Sequence, residues 1–270
     1  MSQIASPAFL THIDEQTGRE VRRFPLLNAL DGRSYYFRQP RRIGPSHVLC
    51  MTRYRGAKTR VALLEPETGE VRTVMLPGDY LNLREADGLF WCTDYRCRVW
   101  QIALPDGSPE LLAALPEELP GEIVHLTCDA RHVILAEYHS DPAHRPPNSN
   151  DPAELFAFFN RPRHGALHAY DLHTGGLTTL VELDGMLPIH PDASPTDPGL
   201  VKFSHDNYDA HCQRIWTVRV DGTGLTAIRP QEWNELITHE FWWPDGQCIG
   251  FKYQDRRHDP TVMSLPWAEY

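Results

Sequence analysis

The segment Ala166–Leu183 reads ALHAYDLHTGGLTTLVEL. Apolar and polar residues alternate on both sides of a Thr-Gly-Gly turn, which is the pattern of two antiparallel strands joined by a tight hairpin. Three further segments have the same plan of strand, glycine-containing turn and strand, and they span residues 59–76, 97–115 and 214–230. The chain is therefore predicted to consist of repeated antiparallel hairpins.

The spacing of the turn glycines indicates the size of the repeating unit. The gaps between successive turn glycines are 51, 38, 68 and 47 residues, counted over Gly18, Gly69, Gly107, Gly175 and Gly222. Three of these gaps lie near the roughly 40 to 50 residues of one four-stranded propeller blade. Strand-like runs also precede the hairpins, which gives about five blade-like units. The predicted fold class is all-β, a β-propeller of four-stranded antiparallel blades.

The length and the one wide gap predict the domain organisation. A chain of 270 residues can form one large β domain, so residues 1–270 are predicted to be a single propeller domain. The wide gap holds a proline-rich stretch followed by DPAELFAFFNR, in which Asp151 is a good helix N-cap and Pro152 suits the first turn. We expect a loop-helix insertion at about 138–165, either as a surface decoration or as a wall over the centre of the propeller.

Composition excludes several classes of protein. A net charge of -10 without a basic stripe argues against nucleic acid as a partner. Residues 1–20 have neither a basic start nor an apolar core, and no stretch approaches the roughly 18 apolar residues of a membrane helix. We therefore expect a cytoplasmic protein with no membrane partner. The 6 cysteines form no C-x-x-C pair and are predicted to be reduced core thiols.

The 14 histidines are the unusual feature of the composition. Histidine commonly handles protons, metals or acidic ligands, although many surface histidines do none of these. The inner strands of neighbouring propeller blades face one centre, so His205 and His239 could converge there. The run HDNYDAH matches no standard metal-ligand pattern. The candidate site residues in this part of the chain are His190, His205, His211, Arg214 and His239.

Three segments in order resemble the signature segments of one protein family. They are HPDASPTDPGLVKFSHD at 190–206, DAHCQRIWTVRVDGTG at 209–224 and THEFWWPDGQCIGF at 238–251. In this order they resemble the oligogalacturonate lyases, polysaccharide lyase family 22, whose members are seven-bladed propellers. Weaker similarity near Tyr35 and Glu154 extends the resemblance over most of the chain.

The resemblance implies β-elimination on short galacturonate oligomers. In that family a base removes the C5 proton of a uronate, the uronate carboxylate is neutralised, and the C4 oxygen leaves. The histidine of the HEFW segment corresponds to His239 as the base, and the arginine of the QRIW segment corresponds to Arg214 as the neutralising cation. His190 and His205 also match family positions and are predicted to bind substrate, with the orientation of loops as the alternative role. The implied partner is a small acidic oligosaccharide, and homo-oligomerisation is left open.

The chain departs from the family pattern in its metal-binding segments. The family binds manganese through a later histidine and a Q-x-x-H-x-H segment, and this sequence contains no such segment. The resemblance thus implies manganese or another divalent cation, while no residue of this chain is assigned to it. Ser204, Asp206 and Asn207 also replace the residues of the family's C-H-E-G segment. Relative to the family, the chain reads as shortened at its C-terminal end.

Three functional hypotheses follow. The first is a lyase that uses His239 and Arg214. The second is a noncatalytic propeller that binds uronides, another acidic sugar or a partner protein, since the metal-binding segment is missing. A binding module could use aromatic side chains, although Trp216, Trp242 and Trp243 are expected in the blade cores. The third is a shortened form whose remaining blades are supplied by another copy.

Overall fold

A computed structural model defines the architecture of most of the chain. In the part of the chain that the structure describes, every regular element is a strand and none is a helix, which confirms the all-β fold class. The helix predicted at about 138–165 falls mainly on residues 140–163, outside the described part. The described residues are 10–23, 29–34, 42–43, 47–54, 60–74, 80–86, 88–94, 97–139, 164–205, 213–232, 234–255 and 257.

The chain divides into two compact units, residues 1–114 and 115–270. The described residues of the first unit form three antiparallel sheets. A two-stranded sheet pairs β1 (Leu10–Ile13) with β2 (Glu20–Arg23). A five-stranded sheet has the order β3-β5-β6-β7, with β4 also paired to β5, and its strands are β3 (Ala29–Ser34), β4 (Arg42–Ile43), β5 (His47–Tyr54), β6 (Arg60–Leu64) and β7 (Val71–Thr73). A four-stranded sheet consists of β8 (Tyr80–Ala86), β9 (Leu89–Asp94), β10 (Arg98–Ala103) and β11 (Glu110–Ala114).

In the second unit, the part of the chain that the structure describes forms two four-stranded sheets and a strand pair. The first sheet consists of β12 (Glu122–Leu126), β13 (His132–His139), β14 (His164–Asp171) and β15 (Leu177–Asp184). The second consists of β16 (Pro188–Ala193), β17 (Leu200–His205), β18 (Ile215–Arg219) and β19 (Thr226–Ala227). The pair is β20 (Glu235–Trp242) with β21 (Ile249–Asp255). Consecutive antiparallel strands in each sheet are the arrangement of a propeller blade. The four predicted hairpins are β6–β7, β10–β11, β14–β15 and β18–β19, so they are confirmed.

Local side-chain hydrogen bonds explain why the hairpin turns form where the sequence predicts them. In the β14–β15 turn, Asp171 Oδ1 accepts hydrogen bonds from the backbone N–H groups of His173 at 2.8 Å and Thr174 at 3.2 Å. Gly175 then adopts a φ of 72°, which a residue without a Cβ tolerates best, and its N–H donates to the Asp171 carbonyl at 2.8 Å. The D-x-x-T-G pattern therefore encodes this turn directly.

Apolar clusters between adjacent sheets form the core of each unit. In the first unit, Cys92 is buried in such a cluster, as predicted for the cysteines, whereas Cys248 in the second unit is exposed and the prediction is wrong there. The first cluster contains Val61, Leu63, Phe90, Cys92 and Ile102. The second contains Ile134, Ala136, Leu167, Ala169, Leu180, Val181, Val201, Phe203 and Val218.

No helix in the described part of the chain is long and apolar enough to cross a membrane.

The first strand of every larger sheet and of the β20–β21 pair carries a β-bulge. In each case this strand has one residue more than the neighbour with which it pairs, so the register shifts. A bulge bends a strand and turns a side chain away from its regular direction. The shifts lie between Ala29 and Asp31 in β3, Tyr80 and Leu83 in β8, Ile123 and His125 in β12, Ile189 and Asp192 in β16, and Thr238 and Phe241 in β20.

Candidate active site

Two of the predicted site residues lie in the bulges of β16 and β20. His190 has a φ of 49° and His239 a φ of 61°. Residues with a Cβ seldom adopt this left-handed conformation, so both histidines hold a sparsely populated backbone geometry. The two bulges therefore place these imidazoles where a regular strand would not.

The bulge in β20 reverses the alternation of burial along the strand, because regular alternation from the buried Ile237 would bury His239 and expose Glu240. His239 is exposed, whereas the side chain of the next residue, Glu240, is fully buried. The Nδ1 atom of His239 lies 3.2 Å from the hydroxyl oxygen of Thr238. This contact restricts the rotation of an imidazole that faces solvent.

Glu240 forms a buried ion pair with Arg214, which lies directly before β18. The Arg214 Nε donates to Glu240 Oε1, and Arg214 Nη1 donates to the carbonyl of His205 at 3.3 Å. His190 Nδ1 lies 3.5 Å from the second oxygen of Glu240. Burial by itself would raise the pKa of Glu240, but the hydrogen bond with His190 and the charge of Arg214 outweigh it and lower this pKa to about 2. Glu240 is therefore an ionised carboxylate that links two strands to Arg214.

Asp192, two residues after His190, is the second buried carboxylate. Its Oδ1 lies 2.9 Å from His125 Nε2 on β12. Its backbone carbonyl accepts a hydrogen bond from the indole N–H of Trp242 on β20 at 3.0 Å. Asp192 thus connects the β16 bulge with the strands on either side of it.

Lys202 on β17 supplies the second buried cation. Its side chain has no exposed surface, and its Nζ donates to the carbonyls of His190 at 3.3 Å and Glu240 at 3.4 Å. The same Nζ lies 4.0 Å from Asp192 Oδ2. These contacts join six residues into a group that we call the buried charge network: His125, His190, Asp192, Lys202, Arg214 and Glu240. The network contains two cations and two carboxylates, so its formal charges balance.

His205 is buried beside this network. Its ring lies 5.3 Å from the ring of Trp216 and 5.8 Å from that of Phe203, measured between centroids. Burial lowers the pKa of His205 to about 4. A backbone hydrogen bond with Gln213 acts to raise this pKa, whereas the charge of Arg214 acts to lower it. His205 is therefore a neutral imidazole held by aromatic contacts.

The structure brings three of the five candidate site residues together. Arg214 and His190 contact Glu240, and the backbone of His205 contacts Arg214, while His239 is joined to this group through the chain. His211 lies outside the described residues. Sequence reasoning did not identify the partners that organise the site: Glu240, Lys202, Asp192 and His125.

The tryptophans differ in exposure. Trp216 and Trp242 are partly buried, but Trp243 is 53% exposed, so its predicted position in a blade core is wrong. Trp243 begins the turn between β20 and β21, where its backbone N–H donates to the Cys248 carbonyl at 2.8 Å. Its ring lies 6.1 Å from the ring of Phe241.

The side chains of the described residues do not form a binding site for a divalent cation. Among them, no group of three His, Cys, Asp or Glu side chains is arranged to hold a metal ion. The buried carboxylates Asp192 and Glu240 are instead directed at His125 and Arg214.

Curated relatives match a limited part of the chain. An oligogalacturonate lyase from Dickeya dadantii is 33% identical over 82 residues, which is 30% of this chain and 21% of that protein. An oligogalacturonide lyase from Pectobacterium atrosepticum is 35% identical over 80 residues, 29% of this chain and 20% of that protein. The matches thus span about a fifth of the length of these relatives. No family model matches the chain.

Solved structures match almost the whole chain. An oligogalacturonate lyase in complex with manganese superposes with a TM-score of 0.72 at 21% identity, covering 96% of this chain and 69% of that one. An oligogalacturonate lyase from Vibrio parahaemolyticus gives 0.69 at 20% identity, covering 93% and 67%. These likenesses confirm the propeller fold. Together with the curated matches, they confirm the resemblance to oligogalacturonate lyases first noted in the sequence.

Proposed function

We propose that this chain is an oligogalacturonate lyase-like enzyme that cleaves short galacturonate oligomers by β-elimination. The observation that carries the proposal is the bulge in β20, which exposes the His239 imidazole while the next residue, Glu240, is buried against Arg214. The similarity to relatives and solved structures named as oligogalacturonate lyases supports this assignment.

His239 is proposed as the base. A hydrogen bond from Nδ1–H to the Thr238 hydroxyl, compatible with the 3.2 Å separation, selects the tautomer whose basic lone pair is on Nε2. Nε2 would take the C5 proton, the electrons of the C–H bond would form the C4–C5 double bond, and the C4 oxygen would leave with its electron pair. The lyase reaction is therefore expected to require the neutral form of His239.

Arg214 is proposed to hydrogen-bond the uronate carboxylate. Removal of the C5 proton delocalises negative charge onto that carboxylate, and a guanidinium directed at its oxygens stabilises this charge. The bonds to Glu240 and His205 use Nε and Nη1 of Arg214 and orient the planar group. Contact with substrate would therefore be made through the Nη2 edge of the guanidinium.

A lyase assay with matched histidine variants tests this proposal. The 270-residue chain is incubated with digalacturonate, with and without manganese, and the ultraviolet absorbance of the new conjugated double bond is followed. We expect His239→Ala to lower the rate by about 100-fold or more, the usual contribution of a general base. His139→Ala is the control, because His139 is also an exposed strand histidine, with its side chain 62% exposed, and should leave the rate unchanged.

A rate that is equal in the wild-type chain and in His239→Ala would contradict the role of His239. Failure of the wild-type chain to produce absorbance under all conditions would contradict the lyase assignment itself.

Uronide binding without catalysis is the second candidate function. The observation that favours it is the charge balance of the buried network, in which Glu240 already compensates Arg214 and Asp192 faces Lys202. A cation compensated in this way can still hydrogen-bond a carboxylate but provides little net positive charge to an enolate-like transition state. Calorimetric binding of digalacturonate without any absorbance change would select this function over the first.

A further inference from the structure

Lys202 is a fully buried lysine in the middle of a strand. Lysine is almost never completely buried unless its charge is paired, because an ammonium group is strongly hydrated in water. Here the Nζ atom is directed at three groups: the carbonyls of His190 and Glu240 and, at 4.0 Å, the carboxylate of Asp192. The position of the ammonium is thus defined by hydrogen bonds rather than by solvent.

The partners of Lys202 all lie at the two bulges that carry the candidate histidines. His190 lies in the bulge of β16 and Asp192 directly follows that bulge, and Glu240 is the residue after His239 in the bulge of β20. The bulges are on different sheets, and one ammonium group bonds to the backbone of both. Lys202 therefore connects the two histidines that have a positive φ in the described part of this unit, His190 and His239.

Strained backbone needs fixed neighbours. A left-handed conformation at a residue with a Cβ persists only where surrounding contacts define it. Carbonyl groups within a bulge have lost regular ladder partners, and the Lys202 ammonium bonds to two of these carbonyls.

We propose that Lys202 is a positioning residue that fixes the bulges of β16 and β20 together and so sets the directions of the His190 and His239 imidazoles. Its catalytic consequence rests on the proposed function, but the positioning itself does not. Lys202 does not contact substrate in this scheme, because its side chain has no exposed surface.

The test replaces Lys202 with methionine, which has a similar length and no charge. The full chain is labelled with isotopic histidine, and the ring signals are recorded by NMR. In Lys202→Met we expect the His190 and His239 signals to shift or broaden together, while those of His139 and His164 remain unchanged. Lys252→Met is the matched control, since Lys252 is exposed on β21 opposite Thr238 and should move neither pair.

A second variant covers the case in which Lys202→Met does not fold because Asp192 is left uncompensated. The double variant Lys202→Met/Asp192→Asn removes both charges and should show the same joint change of His190 and His239. Unchanged His190 and His239 signals in either folded variant would overturn the proposal. Loss of folding in both variants would also overturn it, because Lys202 would then be required for the fold rather than for positioning.

The lyase assay separates this inference from the proposed function. If the wild-type chain is active, Lys202→Met should lower kcat by about 100-fold, as expected when a reacting group is misplaced by about 1 Å, while KM changes much less. If the wild-type chain is inactive, the proposed function fails and the histidine signals still decide the role of Lys202. An active Lys202→Met protein with unchanged kcat would contradict the catalytic consequence.

Discussion

The two faces of β17 are equally buried but have opposite chemistry. Val201 and Phe203 point into the apolar cluster shared with the sheet β12–β15. Lys202 and Ser204 alternate with them on the other face, and all four residues are 0% exposed. One strand therefore separates an apolar core from a buried charge network over a distance of a few residues.

Burial therefore has different consequences on the two faces of β17. Removing apolar surface from water stabilises the fold without requiring a particular orientation. Burying Lys202, Arg214, Asp192 and Glu240 costs solvation free energy, and that cost is offset only while every partner remains in place. We infer that the apolar face provides most of the local stability, whereas the charged face mainly determines geometry.

The largest expected effect comes from the apolar face. Phe203→Ala should lower the free energy of unfolding by about 4 kcal/mol, because it removes a fully buried ring and leaves a cavity. Urea denaturation at pH 7 measures this change. Leu225→Ala, at a residue 48% exposed, is the control and should change stability by less than about 0.5 kcal/mol. A loss below about 1 kcal/mol for Phe203→Ala would invalidate the comparison.

Glu240→Gln should have the next largest effect. It removes the charge that balances Arg214 in a buried pair and should cost about 3 kcal/mol at pH 7. Since the pKa of Glu240 is lowered to about 2, its stabilising contribution is complete above the ordinary glutamate pKa of about 4.3 and is lost as the pH falls through about 2. Denaturation curves at pH 7, 4 and 3 should show a shrinking difference between variant and wild type. A difference independent of pH would indicate that the carboxylate charge is not responsible.

A smaller effect is expected from His205. Its pKa is lowered to about 4 in the folded protein. At pH values between about 4 and the ordinary pKa of about 6.5, His205 is therefore protonated in the unfolded chain and neutral in the folded protein. His205 should thus make the folded protein about 1 kcal/mol less stable at pH 5.5 than at pH 6.5. In His205→Gln this part of the pH dependence should disappear, whereas His139→Gln should retain it. Equal slopes in wild type and His205→Gln would show that the ring titrates normally.

The smallest effect is expected from an exposed ion pair at the other end of β18. Arg219 and Asp197 lie 3.3 Å apart with side chains 46% and 43% exposed. Arg219→Gln should change stability by about 0.5 kcal/mol or less, and the change should vanish in high salt. Thermal denaturation at low and high salt measures it. An effect as large as that of Glu240→Gln would mean that burial is not what distinguishes the two pairs.

The repeating hairpins were predictable because their signals are local. The aspartate and glycine of the β14–β15 turn fix the backbone within five residues, from Asp171 to Gly175. Alternation of apolar and polar residues then gives the flanking strands. The candidate residues His190, Arg214 and His239 were noted from the excess of histidine in this part of the chain, whereas their roles came from the family resemblance.

The bulges and the charge network could not be predicted from the sequence. Lys202 lies between Val201 and Phe203, a pattern that ordinarily indicates a strand with one solvated face. It is buried because β20 lies beside it, and that proximity is a tertiary contact. In the same way, alternation counted from the buried Ile237 would bury His239 and expose Glu240. The structure shows the reverse, because β20 contains an extra residue that is defined only against β21.

The left-handed backbone at residues 190 and 239 has a consequence for how this sequence can vary. Glycine adopts such a conformation without steric cost, so substitution of either histidine by glycine would relieve strain at that position. Under the proposed function, the same substitution would remove an imidazole from the site. Selection for thermal tolerance and selection for activity would therefore act in opposite directions at these two positions.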